Sequence, residues 1–115
     1  MKLHISDKDL RGTIGDDAAC RRKYGAEMAK KLILRVAALQ AAVSLADFWP
    51  PKSGPERCHE LNGGRPGVFS VDLKHPYRLL FEPIGIETLP DRSDELKRWT
   101  TITAIDLRAI RDTHE

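Results

Sequence analysis

Apolar residues in the first half of the chain recur at spacings of three and four, the period of one face of an α-helix. The apolar positions are Met28, Leu32, Val36, Leu39 and Val43. This pattern predicts one long amphipathic helix over residues 24–46. Pro50 and Pro51 cannot continue a helix, so we expect a loop there that leads into the second half of the chain.

The second half changes to an alternation of apolar and polar residues with a period of two, which is typical of strands. This alternation predicts strands over residues 56–61, 68–73, 77–81 and 100–110. Asn62-Gly63-Gly64 and His75-Pro76 predict turns between them. Pro83, Gly85 and Pro90 lie among several acidic residues, so residues 83–96 are expected to form an exposed loop.

The N-terminal residues predict a short strand over residues 2–6 and two short helical segments. Ser6 or Asp7 can cap the first segment, and Asp16 or Asp17 the second. Helices followed by consecutive strands favour an α+β fold. We therefore expect one long helix and a shorter helical region packed on a mainly antiparallel sheet of four or five strands, and a single domain over residues 1–115.

Composition limits the function classes. With 41% hydrophobic and 31% charged residues, the chain is typical of globular proteins, and no apolar run is long enough to cross a membrane. The N-terminal segment MKLHISDKDL has no apolar export signal, so a cytoplasmic location is expected. Cys20 and Cys58 are expected to be buried reduced thiols.

Charge is modest in total and uneven in distribution. The net charge is +2. Residues 52–78 are rich in basic side chains, namely Lys52, Arg57, His59, Arg65, Lys74, His75 and Arg78. Acidic residues concentrate in residues 82–95. Since the chain has no phosphate-binding glycine loop, no HExxH, no Cys-x-x-Cys and no GxSxG, we expect neither a cofactor nor a metal.

The basic and imidazole groups fit one kind of chemistry. RNA is cut without a metal when a base removes the proton of the ribose 2′-OH, an acid protonates the leaving 5′ oxygen, and cations stabilise the phosphorane. His59 and His114 are candidates for the base and the acid, and Arg65 and Arg78 for the cations. Each of these side chains can equally be a solvated surface group, and Trp49 and Trp99 are expected to be packing residues.

The order of motifs resembles a known toxin family. Residues 56–83, ERCHELNGGRPGVFSVDLKHPYRLLFEP, resemble the core of HigB-type toxins of the RelE superfamily, in which a histidine, a turn with arginine, an alternating strand and a Tyr-Arg pair follow in this order. The segments RRKYGAEMAKKLILRVAAL and SLADF resemble the helical half of the branch known as plasmid maintenance killer proteins. The tail Ile110–His114 resembles the closing Ile-x-Asp-Tyr-His, and residues 84–97 then form a variable loop.

The resemblance implies the toxin of a toxin–antitoxin pair, a metal-free endoribonuclease that cuts mRNA on the ribosome and so inhibits translation. The implied catalytic residues are His59, Arg65, Arg78, Asp112 and His114, with Asp112 orienting His114. The implied RNA-binding residues are Lys52, Arg57, Asn62, Lys74 and Tyr77. The implied partner is an antitoxin with a helix-turn-helix, of the HigA type, through which alone the toxin would contact operator DNA.

Two positions depart from the family pattern. Asn62 stands where many members have lysine, and Thr113 where many have tyrosine. A threonine cannot stack on a base, and the loss of a lysine removes a cation that would face phosphate. Two alternatives therefore stay open: a non-catalytic module that keeps the toxin fold and binds an antitoxin, and a gyrase-targeting toxin of the same superfold.

Overall fold

A computed structural model describes residues 1–61, 67–85 and 94–113 of the chain. Within these ranges the chain is an α+β structure, as the sequence predicted. Its helices are α1 (Lys8–Arg11), α2 (Asp17–Tyr24), α3 (Ala26–Ala41) and α4 (Glu95–Thr100). Its strands are β1 (Lys2–Ile5), β2 (His59–Glu60), β3 (Phe69–Asp72), β4 (Tyr77–Pro83) and β5 (Ala104–Asp112).

The strands form one sheet in the order β1-β5-β4-β3-β2. Three of the four neighbouring pairs are antiparallel, and β1 pairs with β5 in parallel. The mainly antiparallel five-stranded sheet agrees with the prediction. The predicted turn at residues 62–64, part of the 83–96 loop and the end of the C-terminal tail lie outside the described residues.

The long helix is shorter than the sequence predicted. Gly25 has φ +82°, a conformation that separates α2 from α3. At the other end, Ala42 is extended, and Ser44 caps a 3₁₀ turn over Leu45–Phe48. The expectation that Val43 lies on the apolar stripe of the helix is therefore wrong, since 79% of this residue is exposed.

A second prediction is wrong at α4. The sequence predicted a strand from residue 100 and no helix before it, whereas residues 95–100 are helical and β5 begins at Ala104. Asp94 caps α4 by accepting a hydrogen bond from the Lys97 backbone N–H at 3.0 Å. The Thr100 hydroxyl donates back to the Leu96 carbonyl at 2.8 Å, so a threonine that favours strands is used inside a helical turn. α4 places Trp99 in the core.

The core lies between α3 and one face of the sheet. Phe69 and Phe81 stack with ring centroids 6.0 Å apart, and Trp99 meets Phe69 edge to face. Trp49 packs edge to face on Trp99, which agrees with the packing role expected of both tryptophans. Leu32 of α3 is buried in the same cluster.

Several smaller predictions are confirmed. Asp7 caps α1 and Asp16 caps α2 through their side chains. Cys20 and Cys58 are buried, free thiols, and burial raises the pKa of both. None of the helices within the described ranges is long and apolar enough to span a membrane.

A buried ion pair joins β2 to α4. The Arg98 guanidinium donates two hydrogen bonds to the Glu60 carboxylate, and both side chains are less than a tenth exposed. Glu60 also accepts from the Gly67 backbone N–H at 2.7 Å. The edge strand β2 is only two residues long, and this pair connects it to α4 in addition to its pairing with β3.

We predict that Glu60→Gln lowers the free energy of unfolding by about 3 kcal/mol, because it leaves the Arg98 charge buried without its main partner. Urea denaturation followed by circular dichroism measures this change. The double variant Glu60→Gln/Arg98→Met removes both charges and should be less destabilised than Glu60→Gln alone. A double variant as unstable as the sum of the two single variants would contradict the pairing.

Candidate functional site

The alternation of β3 places polar side chains on the face of the sheet that faces away from α3. Phe69 and Val71 point into the core, so Ser70 and Asp72 point to the opposite side. His59 lies opposite Ser70 across β2 and β3, and Arg78 lies opposite Asp72 across β3 and β4. We call this side of the sheet, with His59, Ser70, Asp72 and Arg78, the polar face.

Asp72 is held from three directions at the end of β3. Its carboxylate lies between two guanidinium groups, with Oδ1 3.3 Å from Nε of Arg78 and Oδ2 3.3 Å from Nε of Arg57. Its backbone N–H donates to the Glu56 carbonyl at 2.8 Å. Its backbone carbonyl accepts from Nε of the buried Arg35 of α3 at 2.7 Å. Asp72 therefore connects the loop before β2, the helix α3 and the strand β4.

Arg78 is fixed at a second point. Its Nη1 donates to the hydroxyl of Thr113 at 2.8 Å, just past the end of β5. Only 16% of the Arg78 side chain is exposed, against 49% for Arg57. Thr113, which departs from the family pattern, thus takes part in the site by orienting an arginine.

His59 is 4% exposed and lies beside these arginines. Its Nδ1 is 3.1 Å from the Arg57 carbonyl, and because a carbonyl can only accept, Nδ1 carries the proton. Nε2 therefore holds the free lone pair of the neutral ring, and it is buried with no hydrogen-bond partner among the residues that the structure describes.

The surroundings of His59 favour the neutral imidazole. Burial lowers the pKa of His59 below its usual value of 6.5, and the positive charges of Lys52 and Arg78 lower it further. The hydrogen bond to Arg57 and the charge of Asp72 act in the opposite direction without reversing the shift. At pH 7 the ring is neutral and can accept a proton at Nε2.

The loop before β2 brings two cations to this place in unusual backbone conformations. Lys52 has φ +63° and Arg57 has φ +45°, in the left-handed region that side chains other than glycine rarely adopt. The loop is closed by hydrogen bonds from Lys52 N–H to the Cys58 carbonyl at 3.0 Å and from Arg57 N–H to the Ser53 carbonyl at 3.1 Å. Such conformations persist only where surrounding contacts impose them, and they concentrate at functional sites.

The structure brings together four of the residues that the sequence singled out, namely Lys52, Arg57, His59 and Arg78. Asn62, Arg65 and His114 lie outside the described residues. The expected gathering of His59, Arg65, Arg78 and the C-terminal Asp-x-His can therefore be followed only for His59, Arg78 and Asp112.

Asp112 does not join the polar face. It lies opposite Tyr77 in the pairing of β4 and β5, one position beyond the pair Arg78 and Arg111. Because successive side chains of a strand point to opposite sides, Tyr77 and Asp112 both point away from Arg78. Tyr77 lines a cleft beside α1 and α2, of about 500 Å³. Both residues therefore lie on the other side of the sheet from Arg78. The roles assigned to Tyr77 and Asp112 stay predictions.

Lys74 pairs with a different carboxylate from the one that Arg57 and Arg78 share. Its Nζ is 3.1 Å from the carboxylate of Glu27, in the first turn of α3. The pair is exposed, so it is worth little in stability and leaves Lys74 able to exchange partners. RNA binding by Lys74 likewise stays a prediction.

Sequence reasoning missed Asp72 and Arg35 as parts of the site. Arg35 occupies a position of the buried stripe of α3, between Leu32 and Val36, where a charged residue needs a partner. That position was a signal available in the sequence. Asp72 carried no comparable signal, because an acidic residue on the polar side of a strand is usual.

Comparison with known proteins finds similarity in structure and none in sequence. No sequence model of a protein family matches the chain, and no curated protein matches it. Among solved structures, it is similar to a YoeB/ParE toxin from Agrobacterium tumefaciens, with a TM-score of 0.54 and 15% identity. The similarity covers 98% of this chain and 99% of that one. The chain therefore has the fold of this toxin.

We predict that the stability of the protein falls as the pH is lowered from 7.5 to 5, with a contribution from His59. The unfolded chain takes up a proton at the usual pKa of 6.5, whereas the folded protein resists it, so folding is favoured above this pH and less so below it. His59→Asn keeps a donor for the Arg57 carbonyl and removes the titrating group. Its free energy of unfolding, measured by urea denaturation, should vary less with pH than that of the wild type.

Val36→Ala is the matched control, because it removes buried methyl groups of α3 without removing a titrating group. It should be less stable than the wild type at every pH and keep the wild-type pH dependence. If the free energy of unfolding of His59→Asn varies with pH as much as that of Val36→Ala, then folding does not lower the pKa of His59.

Proposed function

We propose that the protein is the toxin of a toxin–antitoxin pair and that it cuts mRNA during translation, without a metal. One observation carries the proposal. A buried, neutral imidazole lies on the polar face beside Arg57, Arg78 and Lys52, and Asp72 is the one carboxylate among the described residues that lies between these arginines. The fold shared with a toxin supports the same function.

The groups of the polar face match the needs of RNA cleavage through the 2′-OH. Nε2 of His59 holds the lone pair that can take the proton of the hydroxyl. The 2′ oxygen then attacks the adjacent phosphorus, and the bond to the 5′ oxygen breaks, which leaves a 2′,3′-cyclic phosphate and a 5′-hydroxyl. The guanidinium groups of Arg57 and Arg78 stabilise the doubly charged phosphorane between these steps.

The remaining roles rest on the family resemblance of the sequence. We assign His114 as the acid that protonates the leaving 5′ oxygen, Arg65 as a further cation, and Asp112 as the residue that orients His114. The RNA strand is bound by Lys52 and Arg57, with contributions from Asn62, Lys74 and Tyr77.

The partners follow from the same proposal. We propose that an antitoxin with a helix-turn-helix of the HigA type holds the toxin inactive in the cytoplasm, and that operator DNA is bound through the antitoxin alone. The HigB branch is our assignment on the sequence motifs.

A second function is favoured by a specific observation. Nε2 of His59 is buried, so the imidazole cannot reach a ribose 2′-OH unless the surrounding residues move. A protein that keeps this arrangement at all times would be a non-catalytic module that binds an antitoxin. Cleaved mRNA distinguishes the two functions, because such a module cuts none.

We predict that expression of the wild type in bacterial cells stops growth and truncates translated mRNA, and that Arg78→Ala lowers cleavage about a hundredfold, since it removes a cation that stabilises the phosphorane. Primer extension on a translated message, with and without a block of initiation, measures the effect. Arg108→Ala is the matched control, because Arg108 lies on β5 and pairs with Glu82, away from His59. It should cut at the wild-type rate.

Two results would count against the nuclease, and a third against the role of Arg78. Intact mRNA on expression of the wild type, with a stable antitoxin complex, favours the non-catalytic module. Broken DNA with intact mRNA favours a gyrase-targeting toxin. Equal cleavage by Arg78→Ala and the wild type removes Arg78 from the mechanism.

A further inference from the structure

Asp72 contacts Arg78 of the polar face and Arg57 of the loop before β2 through the same atom of each, Nε. Its two carboxylate oxygens lie 3.3 Å from Nε of Arg57 and 3.3 Å from Nε of Arg78. Nε is the inner edge of a guanidinium, and a contact there leaves the two terminal nitrogens to other partners. Nη1 of Arg57 donates to the Lys52 carbonyl at 3.4 Å, and Nη1 of Arg78 donates to the Thr113 hydroxyl at 2.8 Å. Nη2 is the nitrogen of each guanidinium through which a second anion could be bound without displacing these contacts.

The backbone that carries the Asp72 carboxylate is held by hydrogen bonds. Arg35 of α3 holds the Asp72 carbonyl, and the Glu56 carbonyl holds its N–H, so the backbone of Asp72 is fixed on both sides. Thr113 fixes Nη1 of Arg78. Each of these contacts limits the rotation of a long side chain before any ligand arrives, and such fixed placement lowers the entropic cost of binding.

We propose that Asp72 is a positioning residue that holds Arg57 and Arg78 as one clamp for the phosphodiester group of an RNA strand. The class of ligand rests on the function proposed above. Asp72 does not touch the RNA in this arrangement. It braces the inner edges of the two guanidinium groups so that their outer edges face one phosphate together.

Asp72 places a negative charge at a site that is proposed to bind an anion. By charge alone, a carboxylate on a surface that binds an anion weakens binding, so its removal should tighten the complex. If Asp72 positions the clamp, its removal should weaken the complex, because each arginine then samples many conformations and the two no longer converge. The two accounts predict changes of opposite sign.

The experiment measures binding of a single-stranded 2′-O-methyl RNA oligonucleotide to the purified chain by fluorescence anisotropy at several salt concentrations. The 2′-O-methyl group blocks cleavage, so binding is measured apart from any reaction. We expect Asp72→Asn to bind about tenfold more weakly than the wild type, the size of change that follows the loss of a paired contact to a charged group. Asp72→Glu, which restores a carboxylate, should recover part of the affinity.

Glu82→Gln is the matched control. Glu82 lies on β4 and pairs with Arg108 at 3.5 Å, so this variant removes one negative charge from the same sheet without touching Arg57 or Arg78. It should bind as tightly as the wild type or more tightly. The same direction of change in Asp72→Asn and Glu82→Gln would overturn the proposal, as would Asp72→Glu binding no better than Asp72→Asn.

A second variant decides the matter if Asp72→Asn does not fold, as judged by circular dichroism. Arg57→Lys keeps the charge at a half-exposed position but cannot offer Nε to Asp72 and a terminal edge to phosphate at once. If Asp72 positions the two arginines, Arg57→Lys should bind the oligonucleotide about tenfold more weakly than the wild type, although the number of positive charges is unchanged. Wild-type affinity in Arg57→Lys would overturn the proposal.

The proposal and the nuclease function fail in different ways. A wild type that binds the oligonucleotide through this clamp and cuts no mRNA keeps the clamp and removes the nuclease. A wild type that cuts mRNA and shows no measurable affinity for the oligonucleotide keeps the nuclease and overturns the clamp.

Discussion

The alternation of side chains along β3 is the constraint on which both the core and the candidate site depend. Phe69 and Val71 lock one face of the strand against the aromatic core, and this burial fixes the register of β3 against β4. Once that register is fixed, Asp72 must lie opposite Arg78 on the other face. A shift of one residue would turn Asp72 toward the core and Phe69 away from it, so the packing of the core favours the observed placement of the charges.

Burial, together with the neighbouring charges, sets the protonation state of His59. A carboxylate beside His59 would ordinarily stabilise the imidazolium, yet Asp72 is shared between Arg57 and Arg78, and Lys52 adds a further positive charge. Burial lowers the pKa of His59, and the charges of Lys52 and Arg78 lower it further. Arg78, which would stabilise a phosphorane, therefore also helps to keep the nearby base unprotonated.

The sequence predicted the elements whose pattern is strongly periodic and missed those that depend on particular contacts. The apolar stripe of α3 and the alternation of β3 and β4 were sufficient for the α+β fold and a mainly antiparallel sheet. Periodicity could not predict where α3 ends, because Gly25 and Ala42 set its limits through backbone conformation. α4 was missed because Thr100 and Trp99 favour strands, and only the cap at Asp94 and the packing of Trp99 make that segment helical.

The candidate site was predictable in its residue types more than in its geometry. The motif order singled out His59 and Arg78, and the basic stretch over residues 52–78 singled out Arg57; these three residues lie together in the structure. It could not show which side of the sheet Asp112 takes, since that depends on the pairing of Tyr77 with Asp112. It also could not show that Asp72 joins the two arginines, because the contact depends on a loop whose left-handed residues carry no sequence signature.

The chemistry of the cut ends tests the central claim most directly, because it reports which atom attacks the phosphorus. Messenger RNA is recovered after translation in the presence of the wild-type protein, and its new ends are tested with a 5′-hydroxyl kinase and by mass spectrometry. The account predicts a 5′-hydroxyl on one fragment and a 2′,3′-cyclic phosphate on the other. A 5′-phosphate with a 3′-hydroxyl would show that water attacks in place of the ribose, which would contradict the roles of His59 and the two arginines.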